Sequence, residues 1–154
     1  MDHVDAAIEL ARQLCDMIQH APIAGLEGVP EALTTLGEHA TLVLITKGQE
    51  EVQIDKLERS GLASAFADVI VVEEKCSRVY KTVFGPAKVR PHAAMIGNSL
   101  KSDVLPALEV GAFGLHVPFG TTSPLEVAAA PDGHPHFRQF ESLGQAARWI
   151  IDLA

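Results

Sequence analysis

Cysteine is scarce in this chain. Only Cys15 and Cys76 occur, far apart and without Cys-x-x-Cys spacing. That excludes a disulfide framework and a thiolate metal knuckle, and leads us to expect two reduced thiols in a cytoplasmic protein. Basic residues are also few: 12 Lys and Arg stand against 20 Asp and Glu, a net charge of −8. A surface so poor in positive charge argues against nucleic acid and against an anionic membrane as partners. It leaves room for a small anionic substrate, because a few local donors can hold a phosphate on an acidic protein. No apolar run is long enough to span a bilayer. The opening segment MDHVDAAIEL lacks the basic-then-apolar pattern of a secretory signal. There is no Gly-x-Gly-x-x-Gly and no P-loop, and Asn98-Ser99 lacks the Gly-x-Ser-x-Gly elbow of a serine nucleophile.

What is present suits one globular domain over residues 1–154, with hydrophobic residues at 47%. Val4, Ala7, Ile8, Ala11, Leu14, Cys15 and Ile18 recur at three-and-four spacing, which predicts a helix over 4–20 ended by Pro22. A second helix is expected over 30–37, between Pro30 and Gly37. The run TLVLIT, 41–46, is apolar on both faces and reads as a buried strand, broken by Lys47-Gly48. A charged helix over 50–60 is stopped by Gly61, and a strand follows at 68–72. Ser77 is expected to cap a short helix carrying Val79, Tyr80, Val83 and Phe84. Further strands are expected at 93–96 and 115–117, with a helix over 103–110 between them. Residues 120–136 read as a long loop, Phe137–Phe140 as a last strand, and Ser142 as the cap of a final helix. Alternation of this kind predicts an α/β fold: a Rossmann-like, mostly parallel sheet with helices on both faces.

Three polar clusters fall just after three successive strands, where open α/β sheets place ligands. The first is Thr46-Lys47-Gly48, a hydroxyl beside a glycine that lets backbone approach an anion. The second is Lys75, flanked by Glu73 and Glu74; an ammonium there suits a phosphate or carboxylate oxygen, with Lys81 and Lys88 as competitors. The third is Gly97-Asn98-Ser99 with Asp103, hard oxygen donors of the kind Mg²⁺ takes. Asp103 or Ser102 could equally cap the following helix.

The runs LITKG, VIVVEEK and MIGNSLKSDVLPALEVGAFGLHVP, in that order and spacing, resemble the haloacid dehalogenase superfamily of phosphohydrolases over about residues 25–150. The resemblance implies Mg²⁺-dependent hydrolysis of a phosphate monoester through an aspartyl-phosphate, with a small phosphorylated molecule as substrate. Dehalogenation is the enzymatic alternative. Thr46 matches the hydroxyl that holds the phosphoryl group, and Lys75 matches the lysine that neutralises it. Asn98 and Asp103 match the paired positions that place Mg²⁺, where many members carry Asp in place of Asn98.

The chain departs from the family at its first motif, an apolar strand ending in Asp-x-Asp whose first Asp is the nucleophile. Asp2, Asp5 and Asp16 do not follow such a strand. The segment 1–22 instead resembles the last cap helix leading back into the core. The expectation is therefore a core truncated at its amino end, impaired in hydrolysis, with a non-catalytic binding or assembly module as the rival. In the family the absent strand lies between those matching 41–46 and 93–98. Three outcomes are open in its place: direct pairing of these two, filling by a second copy or a complementing chain, or an isolated chain of only marginal stability. Among the remaining residues, His134 and His136 could bind a metal but read first as surface loop histidines, His116 as a core or rim histidine, and Trp149 as packing of the last helix.

Overall fold

Apolar runs bounded by Gly and Lys form short strands here, and the amphipathic runs between them form the helices that cover them. The computed structural model describes Gln13 and residues 26–120 and 123–153. The helix expected over 4–20 (Gln13 apart), Cys15, and Asp2, Asp5 and Asp16 lie outside the described residues.

Helix α1, Val29–Gly37, begins after Gly28, whose φ of +77° turns the chain, and carries Pro30 in its first turn. Strand β1 is Val43–Lys47 and helix α2 is Glu50–Ser60, closed by Gly61 in the left-handed region. Strand β2, Asp68–Val72, leads to helix α3, Ser77–Phe84. Strand β3, Ala94–Gly97, runs through a π-helical turn, Leu100–Val104, into helix α4, Leu105–Glu109. Strand β4, Phe113–His116, strand β5, Phe137–Gln139, and helix α5, Leu143–Leu153, complete the described residues. The Ser142 hydroxyl accepts from the Gln145 N–H at 3.2 Å, so Ser142 caps α5 as expected.

All pairings are parallel, but the strands form two sheets: β1 with β2, and β3 with β4 and β5. The Leu42 carbonyl accepts from Ala67 and the Gly48 N–H donates to Val72. By alternation, the backbone groups of Val43, Ile45 and Lys47 then face away from β2. On β3, the Ala93 and Gly97 carbonyls accept from Phe113 and Val117, so the backbone groups of Ala94 and Ile96 face away from β4. Among the described residues nothing pairs with either edge, and β1 and β3 do not pair with each other. An apolar cleft separates them. Cavities of about 520 and 390 Å³ lie along it, both lined by Val43, Ile45, Met95 and Ile96.

Helices hold the two sheets together on both faces of the cleft. On one face Ala32 and Leu36 of α1 pack on Ala147 of α5, with Ile96 against them. On the other, Tyr80 of α3 packs with Ile45, Val110 and Ala112. Tyr80 has no exposed surface, and its hydroxyl donates to the Ser102 carbonyl at 2.9 Å. No helix among the described residues is long and apolar enough to cross a membrane.

Tyr80→Phe keeps the ring but leaves the Ser102 carbonyl without its donor, and should lower stability by about 1–3 kcal/mol. Tyr80→Ala also opens a cavity in the cluster it forms with Ile45, Val110 and Ala112, and should cost about 3–5 kcal/mol. Urea unfolding of the two variants checks both the sizes and their order.

Candidate active site

Parallel strands bring their carboxyl ends to one edge, so residues following β1, β2 and β3 become neighbours. Lys47 ends β1, Lys75 follows β2, and Asn98 to Asp103 follow β3. The turn after β3 aims the acid. Ser99, whose hydroxyl accepts from the Ser102 N–H at 3.0 Å, is the cap, and not Asp103 or Ser102. The N–H groups of Asp103 and Val104 both donate to the Ser99 carbonyl, at 3.0 and 3.2 Å. This wide turn folds the Asp103 side chain back over the end of β3. Gly97 permits it, because a Cβ at that position would overlap the Asp103 carboxylate.

Asp103 is 2% exposed. Its Oδ1 accepts from Lys75 Nζ at 2.7 Å and its Oδ2 from the Ser99 N–H at 3.0 Å. A buried carboxylate with an ammonium and a backbone donor is satisfied, which such a charge requires. Lys75 uses one of its three N–H donors in this pair.

A second carboxylate enters from the loop after β4. The 3₁₀ turn Pro124–Glu126 is capped by Ser123, and it presents Glu126 to the same cavity. Glu126 accepts from Lys47 Nζ at 2.7 Å and from Ser99 Oγ at 2.6 Å. Ser102 Oγ is its third donor. The Lys47 ammonium, then the two hydroxyls, hold the Glu126 carboxyl far below its ordinary value, at about 2. The same contact with Glu126 raises the Lys47 ammonium.

The cavity, about 280 Å³, is lined by Lys47, Lys75, Asn98 and Asp103 together with Ser99 and Glu126, among others. Four of the six residues singled out from the sequence thus meet. Thr46 and Gly48 do not line this cavity: the Thr46 hydroxyl donates to Gln53 Oε1 at 2.8 Å, and Gly48 packs against the Gln53 amide. Glu126 is the residue that sequence reasoning missed; Ser99 and Ser102 were singled out, one as a hard oxygen donor and the other as a helix cap, but not as donors to it. The spacing Ser123-x-x-Glu126 carries a signal, but it is that of a local helix cap and not of a contact with a distant lysine.

For a divalent cation, the hard donors are the Asp103 carboxylate and the Asn98 amide. Two of about four lone-pair positions on Asp103 are used, so the set fits an ion that takes one carboxylate and keeps several waters. Among the described residues no group of three or more His, Cys, Asp or Glu gathers as metal ligands.

Other polar residues have structural partners. Nε2 of buried His116 donates to the Asn98 carbonyl at 3.1 Å, and Nδ1 lies 3.1 Å from the Gln139 amide, which ties β5 to the site edge. Trp149 packs edge-on against Phe113 with Arg138 over its ring. His136 stacks on Phe113.

No protein-family model matches the sequence, and no curated protein matches it. Solved structures do. A haloacid dehalogenase-like family hydrolase from Xanthomonas campestris superposes with a TM-score of 0.84 at 28% identity, over 99% of this chain and 64% of that one. A 2-haloacid dehalogenase from Pseudomonas syringae gives 0.67 at 22% identity, over 97% and 64% of the two chains. The Bacillus subtilis HAD-hydrolase YfnB, bound to magnesium, gives 0.63 at 19% identity, over 81% and 55%. The chain therefore spans less than two thirds of the length of each of these proteins.

Lys75→Met leaves Asp103 buried without its cation and should destabilise the fold by about 3–5 kcal/mol. The double variant Lys75→Met/Asp103→Asn should recover part of that loss, which a double-mutant cycle in urea measures. Glu126 gives a pH signature. Its folded carboxyl titrates at about 2 against an ordinary 4.5, so its contribution to stability is complete above 4.5 and fades as pH falls towards 2. Melting curves through that window should fall more steeply for the wild type than for Glu126→Gln.

Proposed function

Since the chain belongs by its fold to the haloacid dehalogenase-like hydrolase superfamily, we propose that it carries the phosphoryl-holding and Mg²⁺-holding side of a phosphate monoester hydrolase site. The observation that supports this reading is the Lys75–Asp103 pair, buried at the carboxyl edge of parallel strands and opening on a cavity of about 280 Å³. Lys75 keeps two N–H donors beyond the one given to Asp103, and these can reach the oxygens of a phosphoryl group. The Thr46 hydroxyl joins them by turning away from Gln53. Asp103 and Asn98 would hold Mg²⁺, which when bound supplies Lewis-acid stabilisation of the charge on the transferring group.

The remaining requirement is a nucleophile. Among the described residues, the carboxylates lining the cavity are Asp103 and Glu126, and both are engaged. Hydrolysis through an aspartyl-phosphate therefore needs a carboxylate from elsewhere. The cleft between β1 and β3 suggests a route, since its polar end is lined by Lys75, Asn98 and Asp103. A strand seated there, from a complementing chain or a second copy, would satisfy both open edges and end beside Lys75. The second reading, a binding module without turnover, is favoured by the same engagement of both carboxylates.

Calorimetry should detect inorganic phosphate binding in the presence of Mg²⁺, lost in Lys75→Ala. Hydrolysis of p-nitrophenyl phosphate by this chain alone should be absent or very slow. No heat from a cooperatively melting wild type overturns the phosphate site. Fast turnover that disappears in Asp103→Ala overturns the impairment and calls for a nucleophile from Asp2 or Asp5 or from a second copy of the chain.

A further inference from the structure

Glu126 is bound the way a ligand is bound. Its carboxylate meets one ammonium, Lys47 Nζ, and two hydroxyls, those of Ser99 and Ser102. All three partners are donors, and they come from two different sheets: Lys47 from the end of β1, the serines from the turn after β3. The flanking side chains add no apolar anchor. Leu125 is 78% exposed and Val127 66% exposed, so the turn is held by polar contacts, those of the Glu126 carboxylate and that of Lys101 Nζ with the Leu125 carbonyl at 2.8 Å. A set of donors that gathers a carboxylate this well also suits the oxygens of a phosphate, which has the same charge sign and a similar spacing of acceptors.

We propose that Lys47, Ser99 and Ser102 form an oxyanion cradle beside the Lys75–Asp103 pair, and that Glu126 is a built-in competitor for it. The cradle takes a phosphate or a carboxylate group of a ligand when the Glu126 side chain turns out. The proposal rests on the reading of this cavity as a phosphoryl site, and it adds a second anchor for the anion together with an internal group that weakens its binding. Binding is weakened by the fraction of molecules in which Glu126 fills the cradle. Lys47 exchanges one anion for another, so the ligand need not supply the cost of an unpaired charge.

The test is calorimetric titration with inorganic phosphate, and melting with and without it, on wild type, Glu126→Ala, Glu126→Gln and Glu126→Ala/Lys47→Met. The expected result is an apparent phosphate affinity at least about tenfold higher in Glu126→Ala, following the vacated fraction of the cradle. Glu126→Ala should also melt lower than wild type and be restored by phosphate, and Lys47→Met should cancel both effects. If Glu126→Ala fails to fold, Glu126→Gln carries the same comparison with a weaker but like-signed gain. Equal or lower affinity in the variants, with wild-type binding still lost in Lys75→Ala, overturns the cradle and leaves the phosphoryl site standing. No binding by any folded variant overturns both.

Discussion

The fold depends on contacts that join two sheets connected by no backbone ladder among the described residues, and the Lys75–Asp103 ion pair is a buried, charged one of these. Lys75 follows a strand of the first sheet, β2, and Asp103 follows a strand of the second, β3. A buried ion pair is a poor source of stability by itself, because both charges lose water. It is tolerable here because Asp103 also accepts from the Ser99 N–H, so the buried carboxylate has a donor on each oxygen. The Tyr80 hydroxyl on the Ser102 carbonyl and Glu126 between Lys47 and two serines span the same gap. The chemistry of the site and the mechanical join between the sheets are therefore the same set of side chains.

That arrangement has a consequence for the cleft. Hydrophobic packing of α1 on α5, and of Tyr80 on Ile45, closes the two faces of the layer but leaves its middle open. The facing edges present backbone donors and acceptors alongside apolar side chains, a combination that a further extended strand can satisfy and that water satisfies only for the polar half. The polar groups lie at one end, around Lys75 and Asn98. An occupant running parallel to both edges would bring its carboxyl end to the polar end of the cleft.

The order of elements was legible in the sequence because their periods and stops agree: Gly61 ends α2, Ser142 caps α5, and β2 occupies the run expected of it. That Lys47, Lys75, Asn98 and Asp103 would meet around one cavity was legible because parallel strands bring every carboxyl end to one edge. The π-helical turn was not. Its width depends on Ser99 receiving two backbone N–H groups, a three-dimensional choice that Ser102 and Asp103 also offered as caps. Glu126 was hidden for a different reason. Its partner Lys47 lies 79 residues away, and in a loop rich in Gly and Pro nothing local announces a long-range ion pair. The contact of the Thr46 hydroxyl was not legible either, because its partner Gln53 is seven residues on, on the next helix.

The charge balance of the site reconciles an anion-binding reading with a chain of net charge −8. Each cation that reaches the cavity carries its own anion: Lys75 has Asp103, and Lys47 has Glu126. The two pairs are unequal. Asp103 is buried and held by backbone, so removing it from Lys75 would strand a charge in a dry place. Glu126 is partly exposed and sits on a turn with open apolar neighbours, so its departure leaves a carboxylate that water can solvate. An incoming anion therefore meets one fixed pair that positions an ammonium and one exchangeable pair that can yield a second. The acidic surface repels anions at long range, but within the Debye length of the cavity these local donors decide the outcome.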